Sequence, residues 1–166
     1  KKSISPHKIT AIGIAACVDK TLEDIQREQQ IQTYGTKILG KLTDGKVYAI
    51  DIASVQKLGL LDLETLSWNK SLIQNIQSFP EIKSNSEIYG HTSLDIFPTP
   101  IPITCMVPDQ HGSLFAQGFL EKCTLGSKIS LVVNTKDVCI HPEEKNLSTT
   151  IWKIQDQPVF YGLEAS

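Results

Sequence analysis

The stretch 98–141 constrains the fold of this 166-residue chain more than any other part of it. Pro98, Pro100 and Pro102 alternate at its start. A proline ring fixes φ and removes an amide donor, so this piece runs extended and stays out of a sheet interior. The stretch holds short apolar runs separated by Pro108-Asp109-Gln110-His111-Gly112, by Gly126 and by Asn134-Thr135-Lys136. That punctuation predicts one hairpin from 101–107 and 113–120 and another from 128–133 and 137–141, with further strands at 148–154 and 159–163. No helical periodicity follows Phe79, so antiparallel pairing through short turns is the expected topology.

The amino-terminal half reads as mixed. Residues 8–18 (KITAIGIAACV) are rich in Ile and small side chains without clean alternation, the pattern of a strand buried on both faces. Over 21–32, Thr21 with Asp24 resembles a capping box, and Leu22, Ile25 and Ile31 form a narrow stripe, predicting a short surface helix. Asp44-Gly45 lies between apolar runs at 36–42 and 47–52, the signal for a type I′ hairpin. Residues 53–61 read as a short helix or turn stopped at Gly59. Leu63, Leu66, Leu72, Ile73, Ile76 and Phe79 recur at helical spacing between Asp62, a suitable N-cap, and Pro80, predicting a long amphipathic helix over 62–79. Residues 80–102 hold Ile88, Tyr89, Leu94, Ile96 and Phe97, too apolar for a flexible tether, and read as a long ordered connection. The sum is an α+β protein. It has a mostly antiparallel, curved or barrel-like β-sheet, one long helix at about 62–79 and a shorter one at about 21–32. Residues 1–166 form a single domain, divisible into a mixed half (1–79) and a β-rich half (80–166).

Composition narrows the function classes. An apolar fraction of 40% and a charged fraction of 20% are those of a globular protein. Residues 1–83 carry 11 Lys+Arg and 9 Asp+Glu, whereas 84–166 carry 5 and 9. Arg27 is the single arginine, so bidentate phosphate or base recognition has little to work with, and nucleic acid is not an expected partner. No apolar run reaches the roughly 18 residues of a membrane span. The chain begins at Lys1, which reads as a processed form or an excised piece, and an intracellular setting is favoured over secretion. Cys17, Cys105, Cys123 and Cys139 read as buried thiols; the alternative is two disulfides with glycans at Asn69 and Asn146.

The chemistry-bearing residues form no complete motif. His91-Thr92-Ser93-Leu94 and His111-Gly112-Ser113-Leu114 resemble the paired motifs of two-histidine phosphodiesterases, but they lie too close together for two lobes and read as polar turn residues. Cys139 and His141, two apart on a strand, would share a face, and Cys105 with His111 has the composition of a nucleophile and base. Without a C-x2-C pair or a nucleophile elbow, no catalytic residue and no metal ligand is assigned. His111, Cys139, His141 and Cys105 stay as binding candidates. Neither G-x-G-x-x-G nor a P-loop occurs, so no cofactor is expected. Residues 125–152, with GSKISLVVNTKDVCI and STTIW, together with SVQKLGL at 54–60, resemble pieces of the small β-barrel modules of the TOBE type; no binding residue is carried over from that resemblance.

By elimination the expected function is a non-catalytic interaction module that engages a protein, peptide or small ligand through loops or a sheet edge. Two alternatives stand beside it: a small enzyme built on Cys105 and His111, and a secreted or viral β-rich domain with two disulfides.

Overall fold

The computed structural model describes residues 30–72, 76–116, 129–130 and 147–165. The expected strand at 8–18 lies outside them, as does the expected helix at 21–32 apart from its last residues, and as do Cys17, Cys123, Cys139 and His141.

The first described helix, α1 (Tyr34–Leu42), starts at a reciprocal cap. The Thr33 side chain accepts from Thr36 N at 3.2 Å while Thr36 Oγ1 accepts from Thr33 N at 2.7 Å, so two otherwise orphaned amides are satisfied. It ends at Asp44-Gly45, both with positive φ (55° and 71°). Gly45 N donates to Gly40 O at 2.7 Å and Asp44 N to Lys41 O at 3.4 Å, the paired bonds of a Schellman cap. The expected 36–52 hairpin is therefore corrected. Asp-Gly supplies the left-handed backbone a type I′ turn would need, but that backbone closes a helix whose buried face carries Thr36 and Leu39.

Strand β1 (Ala49–Asp51) is buried at every position and pairs in parallel with β4 (Glu81–Lys83), Ile50 opposite Ile82. Asp51 also caps α2 (Ile52–Lys57), its Oδ1 accepting from Ser54 N at 2.9 Å. The helix stops at Gly59, as its sequence implied. The long helix expected at 62–79 does not form over the described residues of that span, 62–72 and 76–79. Leu61–Asp62 (β2) and Ser67–Trp68 (β3) pair antiparallel, followed by a 3-10 turn at Lys70–Leu72. Asp62 does cap, but it caps a turn: its Oδ1 accepts from both Glu64 N and Thr65 N at 2.9 Å. Leu63, Leu66, Trp68 and Phe79 pack on the core from turns and strands, which mimics helical spacing.

The connection at 80–102 is ordered, as expected. It contains β4 and β5 (Ser86–His91), and β5 pairs antiparallel with β6 (Pro102–Cys105), with a register shift between Ser86 and Gly90. Gly90 sits at φ 150°, and a Cβ there would stand 2.9 Å from Val47 Cγ2, so this strand crosses the loop after α1 at a distance only glycine allows. The expected 101–107/113–120 hairpin gives way to β6 followed by helix α3 (Asp109–Ala116). Strand β9 (Phe160–Ala165) is the middle of a three-stranded antiparallel sheet, between β7 (Ile129–Ser130) and β8 (Leu147–Trp152). Strands β8 and β9 answer to those expected at 148–154 and 159–163 and pair antiparallel as expected, whereas the second strand of the hairpin expected from 128–133 and 137–141 lies outside the described residues.

The described residues thus form an α+β arrangement of small sheets, one pair parallel, with no closed barrel. The main core gathers Ile31, Ile50, Ile52, Val55, Leu60, Leu61, Ile76 and Ile151. Burying one such side chain contributes about 1.5–3 kcal/mol, so α2, wedged between β1 and β8, is held chiefly by its apolar face. Among the described residues no helix is long and apolar enough to cross a membrane.

Candidate functional site

Two polar assemblies interrupt the core. The first is centred on Asn85, which is fully buried at the β4–β5 junction. Its Nδ2 donates to Asp51 Oδ1 at 2.9 Å and to Met106 O at 3.3 Å, and its Oδ1 accepts from Lys153 N at 3.0 Å. Its own backbone donates to Lys153 O and accepts from Met106 N. One side chain thereby ties β1 to the segments that follow β6 and β8. Asp51 is equally buried, and Oδ2 has no hydrogen-bond partner, so loss of hydration raises its pKa above the ordinary carboxylate range despite the two donors on Oδ1. The same burial, with the Asp51 charge nearby, raises the Tyr89 phenol, whose OH donates to Ser84 O at 2.6 Å. Lys83 bridges Glu87 at 2.9 Å and Glu81 at 3.6 Å on the surface beside them.

The second assembly holds α3 on β8. His111 is 1% exposed. Its Nε2 lies 2.9 Å from Thr150 Oγ1 and 3.1 Å from Ile151 O, while Nδ1 has no hydrogen-bond partner. A carbonyl can only accept, so Nε2 carries a proton, and a buried Nδ1 with no hydrogen-bond partner leaves the ring neutral. Burial, reinforced by the Lys57 charge, lowers the His111 pKa from 6.5 to about 4. The ring stacks on Trp152 at 5.4 Å between centroids, and Phe115, one turn further along α3, stacks on the same indole at 5.8 Å. Asp109, in the first turn of α3, is exposed.

The structure separates the residues that sequence singled out. His111 is a core residue of a helix rather than the tip of a turn. Cys105 is a free thiol, and it is exposed where a buried one was expected, because β6 is paired only with β5 among the described residues. Neither nitrogen of His111 is bonded to it. His91 is exposed at the end of β5. Among the described residues no group of three His, Cys, Asp or Glu could hold a metal ion. A cleft of about 620 Å³ runs along α1, lined among others by Thr36, Lys37, Gly40, Lys41, Asp44 and Tyr48. Asp51, Asn85 and Asp109 were not singled out from sequence. A signal for Asp109 was present, since proline followed by an acidic residue opens many helices, but Gly112 drew the segment toward a turn.

No family model matches the chain, the TOBE-type modules included. Individual proteins do match. The chain is 33% identical over 184 aligned positions to a glycerol kinase of Enterococcus casseliflavus, covering 96% of this chain and 36% of that protein. It is 30% identical over 142 positions to a glycerol kinase of Paraburkholderia phytofirmans, covering 81% of this chain and 28% of that one. Its fold is similar to the crystal structure of Plasmodium falciparum glycerol kinase with ADP, with a TM-score of 0.71 and 26% identity over 94% of this chain and 34% of that one. The chain therefore spans about a third of the length of the relatives it matches. Similarity to kinases across nearly the whole chain overturns the expected non-catalytic interaction module, and with it the β-barrel and protein-binding descriptions.

Proposed function

We propose that this chain forms part of a kinase that transfers the γ-phosphoryl group of ATP to a hydroxyl of a small polyol, glycerol first among candidates, within an actin-like ATPase fold. The observation that carries this is the 33% identity to a glycerol kinase over 96% of the chain; the likeness to a glycerol kinase structure with ADP supports it.

In such a transfer the polyol oxygen attacks the γ-phosphorus, its proton passes to a base, and ADP leaves with the electrons of the broken P–O bond. A base must reach substrate and must stand on a rigid element. Among the described carboxylates, Asp51 is buried, Asp62 caps its own turn, and Glu81 and Glu87 pair with Lys83. Asp44, Glu64, Asp95 and Asp156 sit in turns, and Glu164 lies on β9, the middle strand of its sheet. Asp109 alone is both exposed and part of a helix anchored in the core, and we assign it the role of base.

The test is ADP release by the intact polypeptide with MgATP, with and without glycerol, and detection of the phosphorylated polyol by phosphorus NMR. Glycerol-dependent transfer is expected, and Asp109→Asn is expected to lower kcat by about 100-fold or more, the usual contribution of a positioned general base. Folded protein that forms no phosphorylated polyol from glycerol or a panel of other polyols refutes the kinase reading. An active enzyme indifferent to Asp109→Asn refutes the assignment of the base alone.

A further inference from the structure

A helix of eight residues such as α3 has few bonds of its own to fix its direction. Two residues apart on an α-helix point about 200° apart around its axis. Burying His111 therefore turns Asp109 outward, in keeping with an exposed Asp109 two residues before a His111 that is 1% exposed. What holds His111 inward is specific. Nε2 meets Thr150 Oγ1 at 2.9 Å and Ile151 O at 3.1 Å, both on β8, and the ring lies nearly parallel to Trp152, at 14°. Phe115 presses the same indole from one turn along, so α3 touches β8 along one line and cannot roll while both contacts last. Strand β8 is itself rigid: it is paired with β9 along its length, with Ile151 fully buried in the main core.

We propose that His111 is the positioning residue for Asp109: its hydrogen bonds to Thr150 and Ile151 fix the roll of α3 and hence the direction in which the Asp109 carboxylate faces the polyol hydroxyl. This deepens the kinase reading and rests on Asp109 being the base. A buried, neutral histidine suits the task because it adds a directional donor to the core without a charge that would need a partner.

The experiment compares His111→Phe, His111→Gln and Thr150→Val in the intact polypeptide, measuring kcat and KM for the polyol at saturating MgATP and amide hydrogen exchange of α3. Phenylalanine keeps the stacking and loses both bonds. Its kcat is expected to fall by about 10- to 100-fold, as for an ångström-scale misplacement, with KM little changed and α3 amides exchanging faster. Glutamine places an amide donor near the position of Nε2 and is expected to recover most of kcat. Thr150→Val, which preserves shape and removes one of the two bonds from the strand side, is expected to lose several-fold and serves if the Phe variant does not fold. A folded His111→Phe enzyme with kcat within twofold of wild type, or Phe and Gln variants equally impaired, overturns the proposal. If the wild type transfers no phosphoryl group, the kinase reading has failed, and unchanged α3 protection in His111→Phe then overturns the positioning independently.

Discussion

Replacing Asn85 by alanine removes three hydrogen bonds at once from the centre of the molecule. The Lys153 amide loses its 3.0 Å acceptor, the Asp51 carboxylate loses its 2.9 Å donor, and Met106 O loses a weaker one at 3.3 Å. The Lys153 amide is left without its partner and the Asp51 carboxylate keeps only the Ser54 amide, at about 1–3 kcal/mol each and toward the upper value for a carboxylate. The expected loss is therefore about 4 kcal/mol, a large share of the roughly 5–15 kcal/mol that holds an ordinary domain. Urea unfolding followed by tryptophan fluorescence reads it directly. With a slope of about 2 kcal/mol per molar, the midpoint falls by about 2 M. Asn85→Asp sharpens the test, since it keeps the shape but sets a second carboxylate beside Asp51. Two such groups resist joint ionisation, so their folded-state pKa values rise above the unfolded ones and the folded chain binds the extra proton. Its destabilisation is accordingly smallest near pH 4 and grows as pH rises. An Asn85→Ala loss below about 1 kcal/mol, or an Asn85→Asp loss that ignores pH, refutes the view that this side chain ties the segments together.

Three further outcomes are open to measurement. His111 titrates near 6.5 when unfolded and about 4 when folded, so between those values the unfolded chain takes up a proton that the folded chain refuses. Its contribution is complete above pH 6.5 and falls by on the order of 3 kcal/mol as pH drops to 4. Unfolding at pH 7 and pH 4 should show a steeper acid loss in wild type than in His111→Gln, and equal losses would refute the burial-driven shift. Gly90→Ala combines a φ of 150° with a 2.9 Å approach to Val47 Cγ2 and is expected to cost about 2 kcal/mol; adding Val47→Ala should recover only the steric part. Gly45→Ala, at φ 71° with nothing within 4 Å of the new Cβ, should cost about 1 kcal/mol, and urea unfolding reads all three glycine-site variants.

Local backbone chemistry was legible in the sequence, and its use was not. Asp44-Gly45 does adopt positive φ and Asp62 does cap, yet the first closes a helix and the second a tight turn, because both signals describe one or two residues and not what stands on either side. The 62–79 stripe misled for a related reason: Leu63, Leu66 and Phe79 all face the core, but Trp68 reaches it through a strand, its ring tilted at 51° against Phe79 with 5.3 Å between centroids and its Nε1 donating to Pro80 O. The short helix ending at Gly59 and the strands at 147–152 and 160–165 were readable because turns and β-branched runs bound them closely. The parallel pairing of β1 with β4 was not, since nothing local distinguishes a strand that pairs across thirty residues. Of the site, the sequence brings His111 forward only as a turn residue and does not bring Asp109 forward. A lone carboxylate at a helix start carries no motif, and the apolar partners that turn His111 inward come from Trp152, far along the chain.

Ile151 completes the packing around α2, but it leaves the ribosome roughly a hundred residues after Ile50 and Val55. At about 5–20 residues per second that is a delay on the order of ten seconds, during which the α2 face has no strand β8 to cover it. Nascent chains of this sequence should therefore engage holding chaperones through residues 50–61 until β8 emerges, and a stop codon placed just before Leu147 should shift the product from the soluble fraction to the pellet.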